Sequence, residues 1–187
     1  MCLLCRYSTA HDIRRNAVEH WREVNGWLRN AHRDTRSNLQ AKFGAGWDFT
    51  SGLDSEGDES WSEETLEDAG ACAQRGYRGL LWVLQQPEDS ALVVAHGGIF
   101  SFLMDEPGHP LVRMLGENEQ AEVGAERRQQ QQKHATGTAR FGNCELREYI
   151  LSCENEPASL EWERSPTVFL RPVPAATAFS PTAEATL

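Results

Sequence analysis

The sequence predicts an α/β fold, and three observations over residues 66–104 support this prediction. Apolar residues recur three or four positions apart over residues 66–84, which is typical of an amphipathic helix. After a polar break, the uninterrupted apolar run 91–95 has the length of a strand that is buried on both faces. A second apolar run at helical spacing follows. This order of helix, turn, strand and helix is typical of α/β proteins.

Length and charge limit the classes of protein to which the chain can belong. The 187 residues suit one domain with a sizeable core, and the formal net charge is −10. An acidic chain is a poor partner for nucleic acid, because phosphate backbones are bound by basic surfaces. A small phosphorylated substrate stays possible, because it needs only a local basic pocket. We predict one domain over residues 1–171 and a disordered tail over residues 172–187.

Neither the apolar stretches nor the cysteines indicate a membrane or secreted protein. No apolar stretch reaches the roughly 18 residues that a membrane span needs, and the first ten residues do not resemble a signal peptide. The five cysteines follow no disulfide framework, which favours a reducing compartment. Cys2 and Cys5 have no second pair at zinc spacing. We therefore predict a cytoplasmic protein without metal, cofactor or membrane partner.

The other elements are predicted in chain order from the same rules. Residues 11–28 carry apolar residues at helical spacing and predict a helix that stops near Asn25-Gly26. Residues 44–60 are rich in Gly, Ser and Asp, which predicts a loop. Ser62 is the expected N-cap of the helix that ends at residue 84, because acidic residues follow it.

The chain after residue 104 has a weaker pattern. Residues 105–137 contain prolines, a polar stretch and a run of four glutamines, so we predict a polar surface insertion. Residues 139–152 predict a strand with Cys144, Leu146 and Ile150 on one side. Residues 159–164 and 167–172 predict a bent pair of strands.

The strand at 91–95 leads directly into His96, Gly97 and Gly98. A helix that begins at this point directs free backbone N–H groups and its positive end toward the strand's carboxyl edge. Glycines let an anion approach that backbone, and a histidine can donate to a phosphate oxygen or carry a proton. The triplet is therefore a candidate phosphate site. The alternative is a plain turn with a hydrogen-bonded histidine at its corner.

Several motifs resemble the histidine phosphatase superfamily, also called the phosphoglycerate mutase-like family. The segment "LVVAHGGIFSFLM" (92–104) resembles its second histidine motif. The stretch "HRDTRSNLQAKFGAGWDFTSG" (32–52) looks like its broad-specificity phosphatase branch, in which Asp-Thr-Arg precedes a small helix. Other similar segments follow the family's order: "WREVNGW" (21–27), "DESW" (58–61), "RGLLWVL" (78–84) and "FGNCELREYIL" (141–151).

The resemblance implies a three-layer, mostly parallel sheet with helices on both faces, and a site for phosphoryl transfer through a phosphohistidine. It implies that His96 is the second phosphate-binding histidine and that Gly97 lends a backbone N–H. It further implies that Glu23 protonates the leaving group, although this residue could instead be an exposed carboxylate at a helix end. In "CRYSTA" (5–10), Arg6 resembles a phosphate-binding arginine, one residue nearer Thr9 than the family pattern; an ordinary surface arginine is the alternative.

The family's Arg-His-Gly motif, which supplies the nucleophile, does not occur in this sequence. We therefore expect a domain that is N-terminally truncated relative to the family. One explanation is a shortened product of a phosphomonoester hydrolase, which is impaired or inactive as it stands. A second is a pseudophosphatase that binds phosphorylated ligands or a protein partner without turnover. A third, a substitute histidine nucleophile, has no support in the sequence.

Overall fold

A computed structural model of the chain describes residues 3–5, 14–27, 29–105, 108–115, 141, 144–154 and 165–173. Most of the predicted insertion and the predicted strand at 159–164 lie outside these residues, as does the predicted tail beyond residue 173. The helices and strands, in chain order, are β1 (Leu3–Cys5), β2 (Arg15–Ala17), α1 (Arg36–Phe43), α2 (Ala69–Leu84), β3 (Leu92–Val94), α3 (Gly97–Met104), β4 (Val112–Met114), β5 (Tyr149–Cys153) and β6 (Val168–Pro172).

The six strands form two small sheets. In the first, β1 lies between β2 and β3 and pairs antiparallel with both. In the second, β6 lies between β4 and β5, parallel to the former and antiparallel to the latter. One of these four strand pairings is parallel, so the mostly parallel three-layer sheet stays a prediction. Within the described ranges, no helix is long and apolar enough to cross a membrane.

The predicted helix over residues 11–28 is wrong. The described part of this segment forms β2 and then a 3₁₀ turn at Glu19–Trp21. The Ala17 N–H donates to the Asp48 carbonyl at 2.9 Å, and the Asp48 N–H donates to the Arg15 carbonyl at 2.7 Å. These bonds to a distant loop outweigh the local helical spacing, because strand pairing depends on tertiary context more than on local propensity.

The helix predicted to begin after Ser62 begins seven residues later, at Ala69. Its N-cap is Asp68, whose carboxylate accepts from the Ala71 N–H at 2.9 Å. The preceding residues are held in place by another part of the chain, because the Glu67 N–H donates to the Asn25 carbonyl at 2.8 Å. A helix over 62–67 would use that N–H internally, so the tertiary bond delays the helix start.

The predictions around β3 are confirmed in type but not in burial. β3 and α3 lie where the sequence predicts them, and residues 44–60 are a loop with one 3₁₀ turn at Gly44–Gly46. However, Leu92 and Val94 are 42% and 43% exposed, so the expected burial of this strand on both faces is wrong. The small helix implied after Asp34-Thr35-Arg36 is present as α1.

The main core lies where α2 packs against α3 and against the 3₁₀ turn. Glycines on α2 allow this close approach. A Cβ at Gly76 would lie 3.2 Å from Leu103 and 3.3 Å from Ile99, both on α3. A Cβ at Gly79 would lie 2.7 Å from the ring of Trp21, which is fully buried. The indole of the 3₁₀ turn therefore rests directly on the α2 backbone.

A second contact region joins the loop over residues 48–61 to residues 19–33 through buried charges. The Arg22 guanidinium donates to both carboxylate oxygens of Asp58 at 2.7 Å, to Glu19, and to the Ala31 carbonyl at 2.8 Å. Arg33 Nε lies 2.8 Å from the Glu19 carboxylate. Burial opposes ionisation of Asp58, but hydrogen bonds from Arg22 and the Arg33 N–H lower the pKa of that carboxyl overall. These groups are all paired, as buried charges must be.

His109 stabilises the turn between α3 and β4, and its hydrogen bonds there require one tautomer of the imidazole. Its ring stacks on Tyr77 with centroids 4.3 Å apart. Nδ1 accepts from the Leu111 N–H at 3.2 Å, so Nε2 carries the proton and donates to the Gln74 side-chain oxygen at 2.9 Å. Burial lowers the pKa of His109, and protonation at Nδ1 would place two N–H groups against each other.

We predict that Gly79→Ala lowers the free energy of unfolding by roughly 1–3 kcal/mol, the usual cost of overpacking a core. The added methyl group would overlap the Trp21 ring, which has no room to move. Chemical denaturation measures the effect. Gly57→Ala is the control, because a Cβ there meets nothing within 4 Å. Equal stability of the two variants would contradict the packing described for Trp21.

We also predict that the free energy of unfolding falls as the pH is lowered from about 7.5 to 5. Burial lowers the pKa of His20, His96 and His109 in the folded state. The unfolded chain therefore binds protons first, near pH 6.5, and the stabilisation present above that pH is lost below it. Urea titrations at several pH values test this prediction. A stability that stays constant or rises over this window would contradict it.

Candidate functional site

His96 occupies the position immediately before α3. Its backbone is extended, with φ −116° and ψ 155°, and no side chain caps the helix start. The first N–H groups of a helix have no partner within the helix, and in α3 they follow His96 directly in the chain. The His96 side chain is 42% exposed. A ligand can therefore reach both the ring and the helix start.

The two glycines after His96 play different roles. A Cβ at Gly97 would meet nothing within 4 Å, so the space on that side of its Cα is open. A Cβ at Gly98 would overlap the Glu23 carboxylate and lie 3.0 Å from the Val24 side chain. Gly97 thus leaves room for a ligand, and Gly98 leaves room for Glu23.

Glu23 lies beside His96, as the resemblance implies. Its Oε2 is 3.9 Å from His96 Nδ1, and its Oε1 accepts from the Val24 N–H at 2.9 Å. The side chain is 38% exposed and lies two residues after the 3₁₀ turn, in contact with α3. This contact disfavours the alternative of a freely solvated carboxylate at a helix end.

The electrostatic surroundings keep the His96 ring neutral near pH 7. Burial lowers the pKa of His96; Glu23 raises it and Arg75 lowers it, with a net decrease. A neutral imidazole offers one N–H donor and one acceptor nitrogen. It can therefore donate one hydrogen bond to an anion, and it gains a second donor when an anion raises its pKa.

The Arg75 guanidinium lies behind Glu23, on α2. One terminal nitrogen donates to the carbonyls of His20 and Arg22 at 3.0 and 2.9 Å, and the other donates to the Glu23 carbonyl at 3.2 Å. Two further bonds of 2.9 and 2.6 Å reach the Glu67 carboxylate. No motif in the sequence singles out Arg75, because the carbonyls to which it donates lie more than fifty positions away along the chain.

The structure brings His96, Gly97 and Glu23 together, although 73 positions separate the two titratable residues. Arg6, the predicted phosphate-binding arginine, lies outside the described residues. Within the described part of the chain, no group of three or more His, Cys, Asp or Glu side chains could hold a metal ion. The arrangement can bind a small anion and supply a proton beside it.

Comparison of the chain with protein-family models, curated proteins and solved structures finds no match. The family resemblance therefore stays a prediction carried by the sequence motifs. A function for His96, Gly97 and Glu23 has to follow from their geometry in this chain.

We predict that sulfate binds more tightly as the pH falls from 7.5 to 5.5. Sulfate keeps its double charge over this range, whereas His96 gains a proton and a second donor. One linked proton changes the dissociation constant by at most about tenfold per pH unit. Calorimetric titration at constant ionic strength measures it, with His96→Gln as the comparison. An equally steep pH dependence in His96→Gln would contradict the role of this ring.

Proposed function

We propose that this chain is a phosphomonoester hydrolase of the histidine phosphatase type whose turnover is impaired. The observation that carries the proposal is the Glu23 carboxylate, 3.9 Å from the His96 ring at the open start of α3. An anion-binding helix start and a carboxyl group that can carry a proton are the two parts that bind a phosphoryl group and release its leaving group.

Each residue has one role in this proposal. The His96 ring and the Gly97 N–H donate to the phosphoryl oxygens, where the charge of the transition state is spread. Glu23 is the group that gives a proton to the leaving oxygen as the phosphorus–oxygen bond breaks.

The missing step is the attack on phosphorus. In the family that the chain resembles, a histidine of an Arg-His-Gly motif makes this attack, and that motif is absent from this sequence. Removing the covalent nucleophile of a well-studied serine hydrolase costs about 10⁶-fold in kcat. Any turnover therefore requires water to attack phosphorus directly, and we expect it to be weak, because only positioning and electrostatics assist it.

The absence of this motif favours a second candidate function. A chain that keeps the phosphate-binding half of the site and lacks the nucleophile is a pseudophosphatase, which binds a small phosphorylated ligand without hydrolysing it. In the cytoplasmic location that the sequence predicts, both candidates act on small phosphorylated molecules. They differ only in turnover, so one assay separates them.

The test combines turnover and binding on the same purified chain. Hydrolysis of an aryl phosphate near pH 6.5 is measured with a metal chelator present, and binding is measured with inorganic phosphate. We predict that His96→Ala weakens phosphate binding at least tenfold. Glu23→Gln should tighten phosphate binding and lower any hydrolysis, because the amide neither repels phosphate nor donates an acidic proton.

Matched controls separate these effects from general damage. Glu63→Gln removes a carboxylate that is 65% exposed and should change neither measurement. His32→Ala is the matched control for His96→Ala. It removes a ring that packs edge-on against Trp61, and it should change neither phosphate binding nor hydrolysis. Failure of the wild-type chain to bind phosphate while folded would refute both candidate functions. Binding without detectable hydrolysis would leave the pseudophosphatase.

A further inference from the structure

We propose that Arg75 is a positioning residue that holds Glu23 beside His96. The inference deepens the proposed function, because it assigns the support of the proposed proton donor to a side chain that does not touch the ligand. Arg75 lies on α2, whereas Glu23 lies in a segment without regular structure after the 3₁₀ turn. A segment of this kind needs external contacts to keep one conformation.

The bonding of the guanidinium excludes a direct role in binding phosphate. Arginine has five N–H donors. Two donate to the Glu67 carboxylate, and the other three donate to the carbonyls of His20, Arg22 and Glu23. Every donor is therefore used within the protein. A ligand would have to displace a buried hydrogen bond in order to reach one.

The same contacts fix the main chain on both sides of Glu23. Arg75 holds the carbonyls of residues 20, 22 and 23. Its partner Glu67 accepts from the Asn25 N–H at 3.0 Å and donates its own N–H to the Asn25 carbonyl at 2.8 Å. Glu23 therefore lies between two anchored points, and both anchors belong to one ion pair with a distance of 2.6 Å.

The carboxylate of Glu23 is confined from the opposite side by α3. Gly98 leaves only the space that the carboxylate fills, and the Val24 N–H donates to Oε1. Arg75 thus sets the backbone of Glu23, and Gly98 sets the room for its side chain. Arg75 lies on α2 and Gly98 lies on α3. Because these two helices pack closely at Gly76, the core fixes the distance between Arg75 and Gly98.

Lysine cannot replace arginine in this role. Its ammonium group has the same charge but three donors at one point, so it cannot hold three carbonyls and both oxygens of a carboxylate. Arg75→Lys therefore keeps the charge that His96 experiences and removes the geometry. This separation of charge from geometry makes the substitution a selective test.

The experiment measures the pKa of the His96 ring by NMR in four proteins: wild type, Glu23→Gln, Arg75→Lys and the double variant. Because Glu23 raises this pKa, Glu23→Gln should lower it. If Arg75 acts through Glu23, Arg75→Lys should lower it in the same direction. The double variant should then have the same pKa as Glu23→Gln alone.

The opposite results would overturn the inference. A wild-type pKa in Arg75→Lys would show that Glu23 keeps its place without the guanidinium. A shift in the double variant equal to the sum of the single shifts would show that the two residues act independently. Arg78→Lys, an exposed change on the same helix, is the control and should leave the His96 pKa unchanged.

Further variants keep the inference testable if Arg75→Lys does not fold. Glu67→Gln weakens the ion pair that holds Arg75 in place, and it should therefore lower the His96 pKa. Gly98→Ala should do the same by displacing the carboxylate, whereas Gly97→Ala should not, because its Cβ meets open space. An unchanged pKa in both folded Glu67→Gln and folded Gly98→Ala would contradict the inference.

The outcome is distinguishable from failure of the proposed function. The NMR measurement needs neither phosphate binding nor turnover, so it reports on positioning even if the wild-type chain binds no phosphate. If hydrolysis is detected, Arg75→Lys should lower kcat at least tenfold with KM within twofold of wild type, because proton donation typically contributes about 10²- to 10⁴-fold. A rise in KM alone would contradict a positioning role.

Discussion

Buried guanidinium groups satisfy the backbone of a segment that has little regular structure, and the rest of the site depends on them. Within residues 22–27 and 29–35, few backbone groups pair with other backbone groups of the same segment, and buried carbonyls without partners are costly. Arg75 holds carbonyls on one side of this segment, and Arg22 holds the Ala31 carbonyl and Asp58 on the other. The segment that carries Glu23 is thus shaped by side chains from α2 and from the loop at 48–61.

Small residues then determine how close the elements come. Gly79 lets the Trp21 ring rest on α2, Gly76 lets α3 approach the same helix, and Gly98 admits the Glu23 carboxylate. Each absent side chain removes some apolar burial. In return, the 3₁₀ turn, α2 and α3 lie near enough for a carboxylate and an imidazole from distant parts of the chain to meet.

The protonation of His96 and His109 affects both the stability of the fold and the charge of the site. His109 stabilises the turn after α3 only as a neutral ring, and burial favours the neutral form of His96 as well. Acidic conditions therefore act in two directions. Under the proposed function, a lower pH would strengthen the attraction of His96 for an anion, while it weakens the fold that holds this ring. A bound anion would then oppose the destabilisation, because a ligand that binds only the folded state stabilises it.

The sequence by itself determined the elements that depend on neighbouring residues: α2 beyond Asp68, β3, the turn at His96 and Gly97, and α3. Apolar spacing and glycines act over a few positions, so the place of His96 between a strand and a helix could be predicted from the local sequence. The tertiary structure decided the rest. β2 replaced a predicted helix because its backbone pairs with β1 and Asp48, and Arg75 reaches carbonyls more than fifty positions away. No local pattern contains such contacts, because they join segments that are far apart in the sequence and meet only in the folded chain.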